Sequence, residues 1–322
     1  MIDVRPSGPD DASPALRIGV DTGGTFTDCV LWDPSTGGMT VAKVPSQPLR
    51  PEAAVAEGLA ELTRVAAIEP SAVGFVGHGT TIATNALITG EVAAVGLLTN
   101  RGFRDVLEIG TQQRPLLYPL HQRPRTFLVP RDRRMGIRGR IGPLGNVLEE
   151  LDEAEVADAA RSLAGLGVDA IAIAMLFSFA NPAQERRVEA IVREVVPGIH
   201  VARSSEVSSE LREYPRFTTT AVNAALAPLL DRYIGAVDRS LRDTGYGAPL
   251  HVIQSNGGVA TAERSIHANA HRLVLSGPAA GVIGGSHVAS AAGFDDVVTL
   301  DIGGTSADVG VVVGGRPRMA TG

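Results

Sequence analysis

Hydrophobic and polar positions alternate in the same way at two distant places in this chain. Leu16–Val20 and Cys29–Trp32 flank the polar stretch Asp21-Thr22-Gly23-Gly24-Thr25-Phe26-Thr27-Asp28. Val297–Leu300 and Val309–Val313 flank Asp301-Ile302-Gly303-Gly304-Thr305-Ser306-Ala307-Asp308. Both polar stretches read D-x-G-G-T-x-x-D. Short apolar runs on either side of a Gly-Gly turn predict a β-hairpin at each place.

Between the hairpins the pattern predicts an α/β chain. Met39–Val44 reads as a third strand, and Pro51 opens a helix to about Ala67 with Val55, Leu59 and Leu62 on one face. Val73–Val76 reads as a short strand running into the polar loop Gly77-His78-Gly79-Thr80-Thr81 and a helix over Ile82–Ile88. Strands follow at Val92–Thr99, Asp169–Phe179 and Ile199–Ala202, and helices at Asp152–Gly165 and Pro182–Val196. The near-continuous apolar character of 169–179 fits a central strand covered on both faces. The longest helical reading is Pro215–Leu241, with Pro228 inside it. Pro249–Ile253 reads as a strand ending in Gln254-Ser255-Asn256-Gly257-Gly258. Ser276 reads as the cap of a small-residue helix, Ser276 to about Ala292, that leads into the second hairpin.

The polar stretches carry the candidate chemistry. Glycine lets backbone N–H groups approach a bulky anion, and threonine adds hydroxyl donors. Carboxylates repel phosphate, but they suit a hydrated Mg²⁺ riding on it. Two facing hairpins therefore predict a grip on a nucleotide's phosphate tail. Asp21 and Asp301 are the metal and catalytic candidates. Gly23, Gly24, Thr25, Thr27, Gly303, Gly304, Thr305 and Asp308 are the phosphate-facing ones, with Ser276 and Gly277 at the start of the intervening helix. A single such turn is often only a hairpin; two in one chain are harder to dismiss. His78, Gly79, Thr80, Thr81 and Asn85, and Ser255, Asn256 and Gly257, are candidate substrate contacts, since polar Gly turns at strand ends favour ligands. The plainer reading makes His78 a core histidine and turns Asn85 to solvent. The Arg-rich run within 111–140 reads as a solvated loop, with a lid over an anionic substrate or a partner surface as its functional alternative.

Composition narrows the classes. The chain has 322 residues, 44% hydrophobic, with a formal net charge of −6 and 4% aromatics. Neither a nucleic-acid surface nor a membrane surface is implied. Cys29 is the only cysteine, so no internal disulfide is possible, which fits a cytoplasmic setting. Met1–Ala15 is polar and reads as a loose tail rather than a secretion signal. The signatures of P-loop, Gly-x-Ser-x-Gly and His-Glu-x-x-His enzymes are absent.

Read together, these segments resemble the actin, sugar-kinase and heat-shock chaperone ATPase superfamily, and more closely the hydantoinase A/oxoprolinase family. The resemblance runs from about Arg17 to Gly322. It is carried by residues 19–28, His-Gly-Thr-Thr-Ile-Ala-Thr-Asn-Ala-Leu at 78–87, Thr-Asn-Arg-Gly-Phe-Arg-Asp at 99–105, and Ser-Ser-Glu-Val at 204–207. Arg-Glu-Tyr at 212–214, Gln-Ser-Asn-Gly-Gly at 254–258, Leu-Ser-Gly-Pro-Ala-Ala-Gly-Val at 275–282 and residues 301–309 complete it.

The resemblance implies an α/β, actin-like or ribonuclease H-like ATPase fold with mixed sheets flanked by helices, its second lobe incomplete here. It implies a tail over 1–16, an N-terminal domain over 17–205 and the start of a core domain over 206–322. It implies ATP and Mg²⁺, a cyclic amide substrate of the 5-oxoproline or hydantoin type, a hydantoinase B-type partner and an oligomer. It matches Asp21 and Asp301 to metal-water carboxylates and the Gly-Gly-Thr turns to phosphate loops. Chaperones of the superfamily carry a Glu where this chain has Gly277, so the analogy names no residue to orient the attacking group. The family's adenine segment should follow the second hairpin, so the 322 residues alone are expected to bind ATP poorly and to be inactive. The alternatives are the ATP-using subunit of an acetone-type ketone carboxylase and a non-enzymatic nucleotide-gated module.

Overall fold

A computed structural model describes residues 15–47, 50–113, 127–266, 268–302 and 307–318. The chain forms two compact units. The first comprises residues 1–81, 233–262 and 275–322, and the second comprises 82–232 and 263–274.

The first unit begins with the predicted hairpin, β1 (Leu16–Thr22) and β2 (Phe26–Trp32), followed by β3 (Met39–Pro45), α1 (Pro51–Ala66) and β4 (Val73–Thr80). Its alternation sorts the strands into two faces. Ile18, Val20, Cys29, Leu31, Ala42 and Val44 are buried, as are Val55, Leu59 and Leu62 of α1. An alanine Cβ at Gly58 of α1 would lie 2.6 Å from Cys29 Sγ, so a glycine there lets the helix sit directly on β2. Burial of roughly this many aliphatic side chains, at about 1.5–3 kcal/mol each, fixes the register, because a slip by one residue would turn the whole set to solvent.

The second unit takes up the chain with α2 (Ile82–Thr89), β5 (Val95–Asn100), α3 (Val106–Ile109), β6 (Arg134–Ile137), β7 (Arg140–Ile141) and β8 (Val147–Glu149). It continues with α4 (Glu153–Gly165), β9 (Ala170–Ile173), α5 (Ala183–Val195), β10 (His200–Arg203) and α6 (Ser204–Val207). The strands β10, β9, β5 and β6 form a parallel sheet in that order. The helix α7 (Glu213–Asp243) contains Pro228 and contributes residues to both units.

The first unit then resumes with β11 (Leu250–Ile253) and β12 (Val259–Thr261). After α8 (Ala262–Ile266) come α9 (Ser276–Ala291), β13 (Val297–Ile302), β14 (Ala307–Val313) and β15 (Arg316–Pro317). The order β12-β11-β4-β1-β2-β3 makes one mixed sheet, in which β1, β4 and β11 are parallel. β13, β14 and β15 make a second, smaller sheet. The fold class is the expected one, α/β with mixed sheets flanked by helices, of the actin-like ATPase type.

Several local expectations are corrected. β4 does not stop at Val76 but runs through Gly77, His78, Gly79 and Thr80. Its last residues bond along β1, so the glycines sit within a central strand. The strand expected over Asp169–Phe179 ends at Ile173. Beyond it, backbone N–H groups bond side chains instead: Met175 donates to Glu185 and Leu176 to Asn100. Ser276 does not cap α9. The residue before the helix is Leu275, in the left-handed region at φ 62°, and the Ser276 hydroxyl bonds elsewhere.

The Arg-rich run is not wholly a solvated loop. Arg114, Arg123 and Arg125 lie outside the described residues. Arg134, however, is a buried β6 residue that donates to the Val129 carbonyl at 2.9 Å and to Glu108 at 3.0 Å. Arg131 pairs with Asp105, and Arg138 with Asp152 and Glu155.

Candidate functional site

The parallel arrangement of β1, β4 and β11 brings their C-terminal ends to one edge of the first unit. Asp21 stands opposite Gly79 and Thr22 opposite Thr80 across β1 and β4. β11 ends beside them and turns through Ser255, Asn256 and Gly257. The C-terminal edge of parallel strands is where α/β sheets take ligands.

α9 starts at this same edge. The Ser276 hydroxyl donates to the Thr80 carbonyl at 3.1 Å, and a Cβ at Gly277 would lie 3.2 Å from Thr81 Cγ2. Thr81 in turn donates from Oγ1 to the Thr22 carbonyl at 3.4 Å. The first turn of α9 holds no acidic side chain of its own to offset the positive end of the helix dipole. The β11 turn backs onto this helix. Gly257 has φ +79°, and a Cβ there would meet Ile283 Cδ1 at 2.4 Å.

The first Gly-Gly turn is anchored from behind. Gly23 N–H donates to the Phe26 carbonyl at 3.0 Å. Ser46, just past β3, donates its N–H to the Thr25 carbonyl at 2.8 Å and its hydroxyl to the Gly23 carbonyl at 2.8 Å. Thr27 is fully buried, and its hydroxyl lies 3.1 Å from that of Ser46. Gly24 is different. Its φ is not in the left-handed region, and a Cβ there would meet nothing within 4 Å among the described residues. The described part of the fold does not require glycine at this position.

The face of the sheet away from α1 carries the charges. Asp21 pairs across the hairpin with Asp28, and Asp28 with Lys43 of β3. Lys43 Nζ lies 2.8 Å from Asp28 Oδ1. Asp21 is an exposed residue of β1, yet its pKa is pushed up. The protein packed around it is the main cause, followed by the negative charges of Asp28 and Asp301, with Lys43 opposing. Asp301 of the second hairpin therefore lies within electrostatic reach of Asp21. The second hairpin repeats the register of the first, with Asp301 opposite Asp308. Gly303, Gly304, Thr305 and Ser306 lie outside the described residues.

This donor set fits a hydrated Mg²⁺. Mutually repelling carboxylates gain from a cation between them. Among the described residues no three His, Cys, Asp or Glu side chains cluster closely enough to hold a metal by themselves. A Mg²⁺ that keeps its waters and rides on phosphate needs no such cage.

The substrate candidates differ in their surroundings. The His78 ring lies in the interior of the first unit, with Nε2 2.7 Å from the Tyr233 hydroxyl. Burial lowers its pKa to about 4 and raises that of Tyr233 to about 12, so both are neutral at pH 7. Thr80 is buried, while Ser255 and Asn256 are exposed, Asn256 accepting from Gly258 N–H at 2.9 Å. Gly79 leaves room for the Asp21 carboxylate, whose Oδ1 would be 3.3 Å from a Cβ there. Asn85 belongs to the second unit and is exposed on α2. Sequence reasoning missed Ser46 and Lys43. Their signal was positional, a serine just past and a lysine within the strand that pairs with the first hairpin.

An α/β, actin-like fold with two matching Asp-Gly-Gly hairpins defines a class, and comparison with known proteins gives the family. The hydantoinase/oxoprolinase N-terminal region matches residues 17–196, and the hydantoinase/oxoprolinase domain matches 216–322. The chain belongs to the hydantoinase/oxoprolinase family.

Caprolactamase subunit alpha of Pseudomonas jessenii is 38% identical over 94% of this chain and 44% of its own length. The crystal structure of ATP-dependent caprolactamase from that organism superposes with a TM-score of 0.78 at 36% identity, covering 92% of this chain and 43% of that one. Nucleotide-free acetone carboxylase, from a study of ATP-dependent acetone carboxylation, superposes at 0.85 with 26% identity, over 95% of this chain and 46% of that one. The chain thus spans under half the length of these relatives.

Proposed function

We propose that this chain is the ATP-using part of an enzyme that opens a cyclic amide by activating the amide oxygen with a phosphoryl group. The observation that supports the reading is the repeat of the D-x-G-G hairpin in one register, with Asp301 near enough to Asp21 for its negative charge to help raise the Asp21 pKa. The resemblance to an ATP-dependent caprolactamase supports a cyclic amide, since a lactam ring is one.

When bound, ATP with Mg²⁺ would supply a phosphoryl group to the amide oxygen, which makes the ring carbon open to attack by water and lets the ring C–N bond break. The chain's residues take separate parts in this reading. The Gly23–Thr25 turn and the start of α9 at Ser276 and Gly277 offer N–H groups to phosphate oxygens. Gly303, Gly304 and Thr305, with Asp308 flanking their turn, belong to the same grip, whereas Thr27, expected to face the phosphate, is buried on the α1 side and supports the turn from behind through Ser46. Asp21 and Asp301 would hold a Mg²⁺ through its water shell. Fixed donors and carboxylates of this kind stabilise developing charge without reorganising. A hydantoinase B-type partner completes the hydrolysis.

The overlay with acetone carboxylase favours a second reading, in which bicarbonate is the phosphoryl acceptor and a ketone is carboxylated. Phosphate release by the complete protein separates the two. Release driven by lactams, 5-oxoproline or hydantoins without bicarbonate supports the amide reading. Release that requires bicarbonate and a ketone replaces it. Among the described residues no helix is long and apolar enough to cross a membrane.

A further inference from the structure

We infer that Ser46 is the positioning residue of the first phosphate turn: it aims the Gly24 N–H at the face that carries Asp21. This rests on the proposed nucleotide site and adds to it a residue that the Gly-Gly-Thr pattern does not contain.

The argument is one of faces and peptide planarity. Thr27, Cys29 and Leu31 of β2 and Ala42 and Val44 of β3 point to the α1 side of the sheet and are buried there. Ser46 lies two residues beyond Val44, and its hydroxyl meets the buried Thr27 hydroxyl at 3.1 Å. Ser46 therefore also faces the α1 side. Its hydroxyl donates to the Gly23 carbonyl at 2.8 Å, so that carbonyl is drawn to the α1 side too. Since the Ser46 proton goes to Gly23, the Thr27 hydroxyl donates to Ser46.

A trans peptide holds its C=O and N–H in opposite directions, and the described residues contain no cis bond. The Gly24 N–H is therefore turned to the other face, where Asp21, Asp28 and Lys43 lie. Among the described residues nothing occupies the space a Gly24 Cβ would take. The Ser46 N–H holds the Thr25 carbonyl at 2.8 Å, so the turn is pinned on both sides of Gly24. Without the hydroxyl, the 23–24 peptide loses the bond that fixes its plane, and the N–H is free to rotate away from an incoming phosphate.

The test uses the complete native protein and a non-hydrolysable Mg-ATP analogue, followed by titration calorimetry and by thermal melting. Ser46→Ala is expected to weaken analogue binding about tenfold and to raise the KM for ATP more than it lowers kcat. Ser46→Thr, which keeps a hydroxyl, is expected to restore binding to within about threefold of wild type. Ser46→Cys keeps the volume but donates weakly, and serves the same comparison if the alanine variant loses its fold. Wild-type affinity in the Ala or Cys variant overturns the inference. So does a Thr variant that melts like wild type yet fails to recover binding. A wild type that binds no analogue overturns the nucleotide reading itself, which distinguishes that failure from this one.

Discussion

The hydroxyl of Tyr233 lies 2.7 Å from Nε2 of His78, joining α7 to the end of β4 inside the first unit. Burial holds the His78 pKa near 4, well below its ordinary 6.5. An unfolded chain takes up this proton below about pH 6.5, whereas the folded chain refuses it until about pH 4. Stability contributed by the neutral ring is therefore present above pH 6.5 and lost as pH falls toward 4. His271, also pushed to about 4 by burial, adds in the same direction. Urea midpoints at pH 7 and pH 5 should show a fall on the order of 1–3 kcal/mol in stability. His78→Gln should flatten that dependence. A slope unchanged in that variant would remove His78 from the account.

Asp21 gives the opposite sign. Its raised pKa means that the folded state holds the proton more tightly than the unfolded one, so its charged form costs stability above that pKa. Asp21→Asn should melt at the wild-type temperature or higher at pH 7 without Mg²⁺, and should lose ATP turnover by at least about a hundredfold. Melting curves and phosphate release on the same preparation check both halves. A variant that melts lower would contradict the repulsion among Asp21, Asp28 and Asp301.

Gly257→Ala should be costly. Both its φ of +79° and the 2.4 Å approach to Ile283 Cδ1 oppose a side chain. The Ile283 terminal methyl has to swing aside and alanine has to take a left-handed backbone, so a loss of about 1–3 kcal/mol is expected from urea unfolding. Gly24→Ala, whose Cβ meets nothing, should leave stability within about 1 kcal/mol of wild type while weakening nucleotide binding.

Glu185 organises the buried edge of the second unit's sheet. It accepts from Met175 N–H at 2.8 Å, from Ser204 Oγ at 2.6 Å and from Ser205 N–H at 2.8 Å. Ser204 also accepts from the buried Arg216, which donates to the Met175 carbonyl at 2.7 Å as well. Glu185→Gln sets an NH₂ group against one of these donors and removes a negative charge from the neighbourhood of Arg216. A loss of about 2–4 kcal/mol in urea unfolding is expected.

What the sequence made legible follows from period and punctuation. The apolar alternation of Leu16–Val44 and the amphipathic 51–66 were readable because one face of each is buried against the other. The repeat of D-x-G-G-T-x-x-D was readable because both hairpins share a register, Asp21 with Asp28 and Asp301 with Asp308. The end of β4 was not readable, because Gly77-His78-Gly79-Thr80 looks like a loop until β1 and β11 pair on both sides of it. The early end of β9 depends on Asn100 and Glu185, which come from distant stretches. Buried Arg134 hid in a run whose composition alone reads as solvated. Ser46 carries no motif, and its role is set by where β3 ends relative to the Gly23 carbonyl.

The central claim is that two hairpins hold one nucleotide for chemistry on a cyclic amide. Phosphate release by the complete protein, measured with and without a lactam or 5-oxoproline, tests it most directly when wild type is run beside Asp301→Asn. The account predicts Mg²⁺-dependent release stimulated by the cyclic amide in wild type. It predicts loss of that release in the variant with its melting temperature retained. Undiminished amide-stimulated release in Asp301→Asn, or none from wild type with any cyclic amide, would contradict it.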